Sequence, residues 1–163
     1  MVYNIKEEFW SWGDHFSIID ESGNDCFYVK GVPFSWGNNL SFQDVNGQEI
    51  AHISQKLMNW SPKYAIIIGG EPYAHLIKEF SWFNLSFTLD VPGPNDYTIE
   101  GSFWNHEFVF RKQEKVIAIV SKKAWSLTDS YGVDIPESGY DVEILSACII
   151  IDQILYDRER STS

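Results

Sequence analysis

Hydrophobic and polar positions alternate in short segments along most of the chain, a pattern typical of half-buried β-strands. Val, Ile, Tyr and Phe are frequent in these segments, and turn-forming residues separate them. The segment 116–120 is apolar on both faces, which indicates a strand with little of its surface in water. We predict strands at 26–30, 50–55, 64–68, 73–78, 97–101, 107–111 and 116–122.

A repeat of 24 residues lies near the start of the chain, where 9–23 can be aligned with 33–47. Serine, tryptophan, glycine and aspartate recur in register, and each copy ends in an Asp-x-x-Gly sequence that begins at Asp20 or Asp44. In such a turn the glycine allows a positive φ, and the aspartate binds nearby backbone N–H groups. The repeat therefore predicts two similar hairpins with no chemistry of their own.

The periodicity changes to that of a helix at 141–157, where apolar residues occupy nearly the whole circumference. Its uninterrupted apolar run, 147–151, is far shorter than the ~20 residues needed to span a bilayer. A sheet that closes around such a helix buries the helix and removes the sheet edges. We therefore predict a mainly-β, closed antiparallel barrel around a buried C-terminal helix. A single domain over 1–157 and a flexible tail at 158–163 complete this prediction.

Composition narrows the classes of partner. The chain has 163 residues with 12 Lys and Arg against 23 Asp and Glu, a net charge of −11, which argues against nucleic acid. The hydrophobic fraction of 44% excludes disorder, and two cysteines cannot form a disulfide framework. The first residues are charged and contain no apolar signal core. We expect a cytoplasmic monomer without a transmembrane segment.

Two segments resemble the LURP-one-related family, which is grouped with Tubby C-terminal domains and phospholipid scramblases. They are 121–133 (SKKAWSLTDSYGV) and 90–101 (DVPGPNDYTIEG), and the resemblance extends over essentially the whole chain. It implies an antiparallel barrel of about twelve strands around a central helix. It also implies a non-enzymatic binding or scaffolding module that recognises phospholipid or phosphoinositide headgroups at a membrane surface. The basic residues with which Tubby-like domains bind phosphoinositides cannot be matched here position by position.

The segment 129–136 (DSYGVDIP) is similar to the proposed calcium segment of the scramblases. It departs from that segment at Leu127, where the scramblases have a further aspartate. Calcium takes six to eight oxygen ligands, and Asp129, Asp134 and Glu137 offer three carboxylates. Two interpretations stay open at this point: structural turn residues, or a weak calcium site formed by these three side chains.

A local basic cluster offers a second candidate site. Lys122 and Lys123 follow a hairpin that contains Arg111, Lys112 and Lys115. If these side chains converge, they can hold a phosphate headgroup despite the acidic total, because charges beyond a Debye length of ~8 Å are screened. The alternative is an ordinary solvated hairpin.

Motifs of catalysis are absent from the sequence. It contains no GxSxG, GxxxxGK[ST] or GxGxxG pattern. His106 and Glu107 begin a zincin-like motif, but Phe110 stands in place of the second histidine. Cys26 and Cys148 are predicted to be packing residues. We therefore predict no enzymatic activity, no cofactor and no confident metal site. The four histidines lie in separate segments: His15, His52, His75 and His106.

Tryptophans near the turns suggest an alternative function. Their rings can settle at a lipid interface or dock a protein, or they can simply plug the barrel. The second hypothesis is therefore a protein–protein interaction module that uses exposed aromatics at the barrel ends and binds no lipid. The tryptophans concerned are Trp10, Trp12, Trp36, Trp60, Trp82, Trp104 and Trp125.

Overall fold

The computed structural model describes residues 1–10, 13–35, 37–57, 63–80, 84–122 and 130–162. Within these ranges, twelve antiparallel strands form one closed barrel, in which β1 pairs with both β2 and β12. The strands are β1 (Val2–Trp10), β2 (Gly13–Asp20), β3 (Asp25–Gly31), β4 (Asn39–Asp44), β5 (Glu49–Lys56), β6 (Lys63–Ile68), β7 (Glu71–Phe80), β8 (Leu85–Asp90), β9 (Tyr97–Ser102), β10 (Glu107–Lys112), β11 (Lys115–Ser121) and β12 (Ser130–Asp134). All seven predicted strands are confirmed with bounds within two residues, and so is the closed barrel.

The helix α1 (Asp141–Thr162) fills the barrel. Eight successive residues, 144–151, have no measurable solvent exposure, so barrel wall surrounds the helix on every side there. That enclosure explains why its apolar residues occupy the full circumference rather than one stripe. The helix continues to Thr162, five residues beyond the predicted end at 157, so residues 158–162 are helical. Among the described residues, no helix is both long and apolar enough to cross a bilayer.

Antiparallel pairing places the connections alternately at two ends of the barrel. We name the end where α1 begins the proximal end; it holds Met1 and the turns 21–24 and 45–48. We name the opposite end the distal end; it holds the connection 32–38, the short helix η1 (Phe103–Asn105) and the last turns of α1. The two ends therefore carry different kinds of structure.

The two Asp-x-x-Gly turns of the sequence repeat have the same geometry. In each, Oδ1 of the aspartate, Asp20 or Asp44, accepts backbone N–H bonds from the residues two and four positions later, at 2.8 and 2.9 Å. Gly23 and Gly47 both have a φ of +82°, a conformation that favours glycine. The hairpins predicted from the repeat are therefore present.

Carboxylates of α1 bind the barrel wall through hydrogen bonds near both ends of the helix. At the proximal end, Asp141 accepts from the Tyr3 hydroxyl at 2.8 Å, and Glu143 accepts from the Tyr97 hydroxyl at 2.5 Å. At the distal end, Asp157 accepts from Asn38 Nδ2 at 2.9 Å. Of these contacts the one between Glu143 and Tyr97 is buried, where a polar group without a partner is costly, so it favours one axial position of the helix in the barrel.

Gly101 allows β9 and β10 to approach each other closely beside η1. A Cβ atom at this position would lie 2.4 Å from the backbone oxygen of Glu107 and 2.6 Å from Cα of Phe108, and its φ is +144°. We expect Gly101→Ala to destabilise the protein by roughly 3–5 kcal/mol in denaturant unfolding, because backbone atoms cannot move aside cheaply. Gly47→Ala is the matched control: open space surrounds that position, so only the cost of its positive φ remains, about 1–2 kcal/mol. Equal losses for the two variants would contradict the close approach.

Buried tyrosines make the fold sensitive to alkali. Burial raises the pKa of Tyr64 to about 12 and raises those of Tyr3 and Tyr97 above their usual value of 10.0. Because the folded state holds these protons longer, the contribution of these tyrosines to stability is constant below about pH 10 and falls as pH rises further, by about 1.4 kcal/mol per pKa unit. We expect the denaturant midpoint to drop between about pH 10 and 12, together with delayed tyrosinate absorbance. Tyr64→Phe should make that drop in the denaturant midpoint smaller. The same dependence of the midpoint on pH in this variant and in the unaltered protein would show that Tyr64 does not contribute to it.

Candidate functional site

A cleft of about 310 Å³ opens at the distal end of the barrel, and we name it the distal cleft. Barrel closure brings its walls together from β1, β12, α1, η1 with the residue after it, and the residue that follows β11, since β1 lies beside β12. Distant parts of the chain therefore share one site. Its lining residues are Glu7, Trp104, His106, Lys122, Ser130, Tyr131, Asp152, Leu155, Tyr156 and Glu159.

Asp152 lies at the centre of the polar network in this cleft. Its Oδ2 accepts a hydrogen bond from the Tyr131 hydroxyl at 2.6 Å, and its Oδ1 lies 3.0 Å from Nε2 of His106. The His106 and Tyr131 rings stack with centroids 4.3 Å apart and an angle of 19° between their planes. Burial and the charge of Asp152 raise the pKa of Tyr131 well above its usual value. Tyr131 is therefore a hydrogen-bond donor, and the floor of the cleft is held rigidly.

The short helix η1 positions two of the cleft residues. Phe103 is buried, and its ring packs against those of Phe87 and Phe108 with centroids 4.9 and 5.0 Å away. The next residue, Trp104, is 49% exposed on the cleft wall. His106 ends η1 with a φ of 51°, and its backbone N–H donates to the Phe103 carbonyl at 3.0 Å. Packing of one phenylalanine therefore holds both the indole and the imidazole at the cleft.

The wall and rim of the cleft combine both signs of charge with aromatic surface. Three carboxylates line it, together with one lysine, one histidine and three aromatic rings. Lys122 and Glu159 are solvent-exposed at the rim. Carboxylates and aromatic faces attract organic cations, whereas a lysine attracts phosphate. In the part of the chain that the structure describes, no group of three or more His, Cys, Asp or Glu side chains is arranged to hold a metal ion.

The predicted basic cluster separates into two sets. Arg111, Lys112 and Lys115 lie at the proximal end, whereas Lys122 lies at the distal end, beyond the seven residues of β11 and so about 20 Å away. Lys112 Nζ lies 5.3 and 5.6 Å from the ring centroids of Tyr97 and Tyr140, and Lys115 forms an ion pair with Glu137. Lys123 lies outside the described residues. Among the described lysines and arginines of this cluster, Lys122 is the one that lines the distal cleft.

The residues of the calcium interpretation lie in different structural settings. Asp134 ends β12, where its backbone pairs with Val2 and Ile119. Glu137 binds Lys115, and Asp129 lies outside the described residues. The segment 130–134 is a strand rather than a turn. Calcium binding by these side chains stays a prediction.

Sequence reasoning missed Asp152 and Tyr131 as members of a site. A separation of 46 residues along the chain hides the contact between His106 and Asp152. One signal was present, because Asp152 directly follows the uninterrupted apolar run 147–151 of a helix that is predicted to be buried. Of the tryptophans, Trp12, Trp36, Trp60, Trp82 and Trp125 lie outside the described residues.

Removal of the Tyr131 hydroxyl should destabilise the folded protein. In Tyr131→Phe one oxygen of the half-buried Asp152 loses its donor, so we expect a loss of about 1.5–3 kcal/mol in denaturant unfolding. Tyr28→Phe is the control, because that side chain is half-exposed on the outer wall, and a change within about 0.5 kcal/mol is expected. Equal stabilities of the two variants would show that the network on Asp152 does not support the fold.

Three comparisons with known proteins agree with one another. The model of the LURP-one-related family matches residues 1–152. The protein named "Uncharacterized protein YxjI" from Bacillus subtilis (strain 168) is 34% identical over 158 residues, which cover 95% of this chain and 94% of that protein. An X-ray structure of a protein from Arabidopsis thaliana shares the fold, with a TM-score of 0.70, 16% identity, and coverage of 94% of this chain and 91% of that one. This chain therefore belongs to the LURP-one-related family.

Proposed function

We propose that the protein is a non-enzymatic binding module that recognises phospholipid headgroups at a membrane surface through the distal cleft. The observation that carries this proposal is the position of Lys122, an exposed cation at the rim of a cleft whose floor presents His106 and Tyr131. A lysine ammonium is a common phosphate ligand, and a rigid floor reduces the entropy that binding costs.

Exposed hydrophobic side chains at the distal end support contact with a membrane. Trp104 and Tyr156 line the cleft and are 49% and 39% exposed. Phe34 and Leu57, in connections at the same end, are also exposed. Tryptophan and tyrosine settle at the boundary between water and hydrocarbon. When the distal end of the barrel contacts the membrane, the cleft faces the lipid headgroups.

The acidic total of the chain restricts how the protein meets a membrane. A net charge of −11 opposes general attraction to anionic lipid. A contact within the cleft lies well inside the Debye length of ~8 Å, so one lysine can still act locally. Recognition should therefore depend on the cleft rather than on the charge of the whole surface.

Vesicle flotation tests the proposed function. We expect the full chain to float with phospholipid vesicles, and Lys122→Glu to weaken that binding by about tenfold, because it replaces the phosphate ligand with a repelling charge. Lys115→Glu makes the same charge change at the proximal end and should leave binding unchanged. Loss of binding in Lys115→Glu alone would move the site to the proximal end, and no flotation of the unaltered protein would refute lipid recognition.

A protein-interaction module is the second candidate function, and the exposure of Trp104 beside a cleft favours it. Such an interface depends on buried aromatic anchors and resists salt. This function would be favoured if the protein does not float with vesicles and instead forms a complex with another protein. That complex should survive about 0.5 M salt and be lost in Trp104→Ala. Ile119→Ala is the control, since Ile119 is 45% exposed but lies on β11 and does not line the cleft.

A further inference from the structure

The charges of the distal cleft restrict which headgroup it can accept. Three carboxylates line it, those of Glu7, Asp152 and Glu159, against one lysine, Lys122, and one histidine, His106. A headgroup that carries several phosphates would meet more like than opposite charge here, and like charges at close range cost free energy. A ligand that brings its own cation beside one phosphate would not meet that penalty.

One face of α1 has the chemistry of an ammonium site. Asp152, Tyr156 and Glu159 are spaced by four and three residues, so their side chains lie on the same side of the helix, and all three line the cleft. This face offers two carboxylates and an aromatic ring, and Trp104 adds a second ring from η1. Carboxylates pair with an ammonium group, and aromatic faces bind it through their quadrupole.

The phosphate contact lies on a different element. Lys122 follows the end of β11, so its ammonium group reaches the cleft from the barrel wall rather than from the helix. The cleft volume of about 310 Å³ is at the small end of the range for ligand sites, which fits a headgroup rather than a whole lipid. The phosphate contact and the ammonium face therefore lie on different elements around a space of headgroup size.

We infer that the distal cleft selects a zwitterionic headgroup, a phosphate ester that carries an ammonium group, as in phosphocholine and phosphoethanolamine. Lys122 binds the phosphate, and the helix face formed by Asp152, Tyr156 and Glu159 binds the ammonium together with Trp104. This inference rests on the proposed function, because it names the class of lipid that the same cleft takes.

Flotation against vesicles of different headgroups tests this selection. Three sets are compared at equal lipid and salt concentration: phosphatidylcholine alone, phosphatidylcholine with phosphatidylethanolamine, and phosphatidylglycerol with a small fraction of phosphatidylinositol bisphosphate. We expect binding to the two zwitterionic sets to exceed binding to the anionic set by about tenfold. Glycerophosphocholine or glycerophosphoethanolamine should compete for the cleft, and glycerol phosphate should not. The stronger competitor of the two tells which ammonium group is preferred.

Two variants separate the ammonium contact from the phosphate contact. Glu159→Gln keeps the size of an exposed side chain and removes one charge, so it should weaken binding to zwitterionic vesicles several-fold, and its melting temperature separates a loss of binding from a loss of stability. Glu114→Gln is its control, in the exposed turn at the proximal end. Lys122→Gln should weaken binding to all vesicles alike, because every headgroup carries a phosphate.

Each outcome decides between the two proposals. Binding to anionic vesicles alone would overturn the zwitterion inference and leave headgroup recognition standing. Equal binding to all vesicles, with Glu159→Gln neutral, would overturn it as well and indicate that phosphate alone is read. Absence of binding to every vesicle would overturn the proposed function and the inference together.

Discussion

A helix enclosed by a closed barrel is the constraint on which the rest of this structure depends. Residues 144–151 of α1 have no contact with water, so the wall must supply the apolar surface that packs around them. Where acidic side chains of the helix approach the wall, as at Glu143 and Asp152, a tyrosine hydroxyl from a strand meets them. At these two positions the wall therefore matches the helix in polarity as well as in volume.

The distal cleft is a consequence of how the helix leaves this enclosure. Up to Ile151 the helix is surrounded, and from Tyr156 onward it is exposed. Asp152 lies close to that boundary. Its carboxylate is buried enough to need hydrogen-bond partners, which are Tyr131 and His106, and it is close enough to solvent to carry a charge. The cleft forms between the emerging helix and strands that cannot follow it. The floor of the cleft is rigid because its residues belong to the core. The rim is accessible to a ligand because its residues are exposed to solvent.

The two ends of the barrel carry different kinds of connection. At the proximal end, short turns satisfy their own backbone groups through Asp20 and Asp44. At the distal end, exposed Trp104 and Phe34 accompany the cleft. Function in many folds depends on connections that a rigid scaffold holds in place. Here the scaffold is the barrel, and the helix adds one wall of the site.

The sequence by itself determined part of the local structure, the enclosed helix and the family. Alternation predicted seven strands, and the all-round apolar pattern of 141–157 required a helix buried on every side, because only such a position hides its full circumference. Strands such as Ser130–Asp134 could not be predicted, since Ser, Gly and Asp favour turns and only pairing on both sides makes that segment extended. Tertiary structure alone brought His106 to Asp152 and divided Lys122 from Lys115. Barrel closure and strand direction decide which distant residues come into contact, and neither produces a local pattern in the sequence from which those contacts could be predicted.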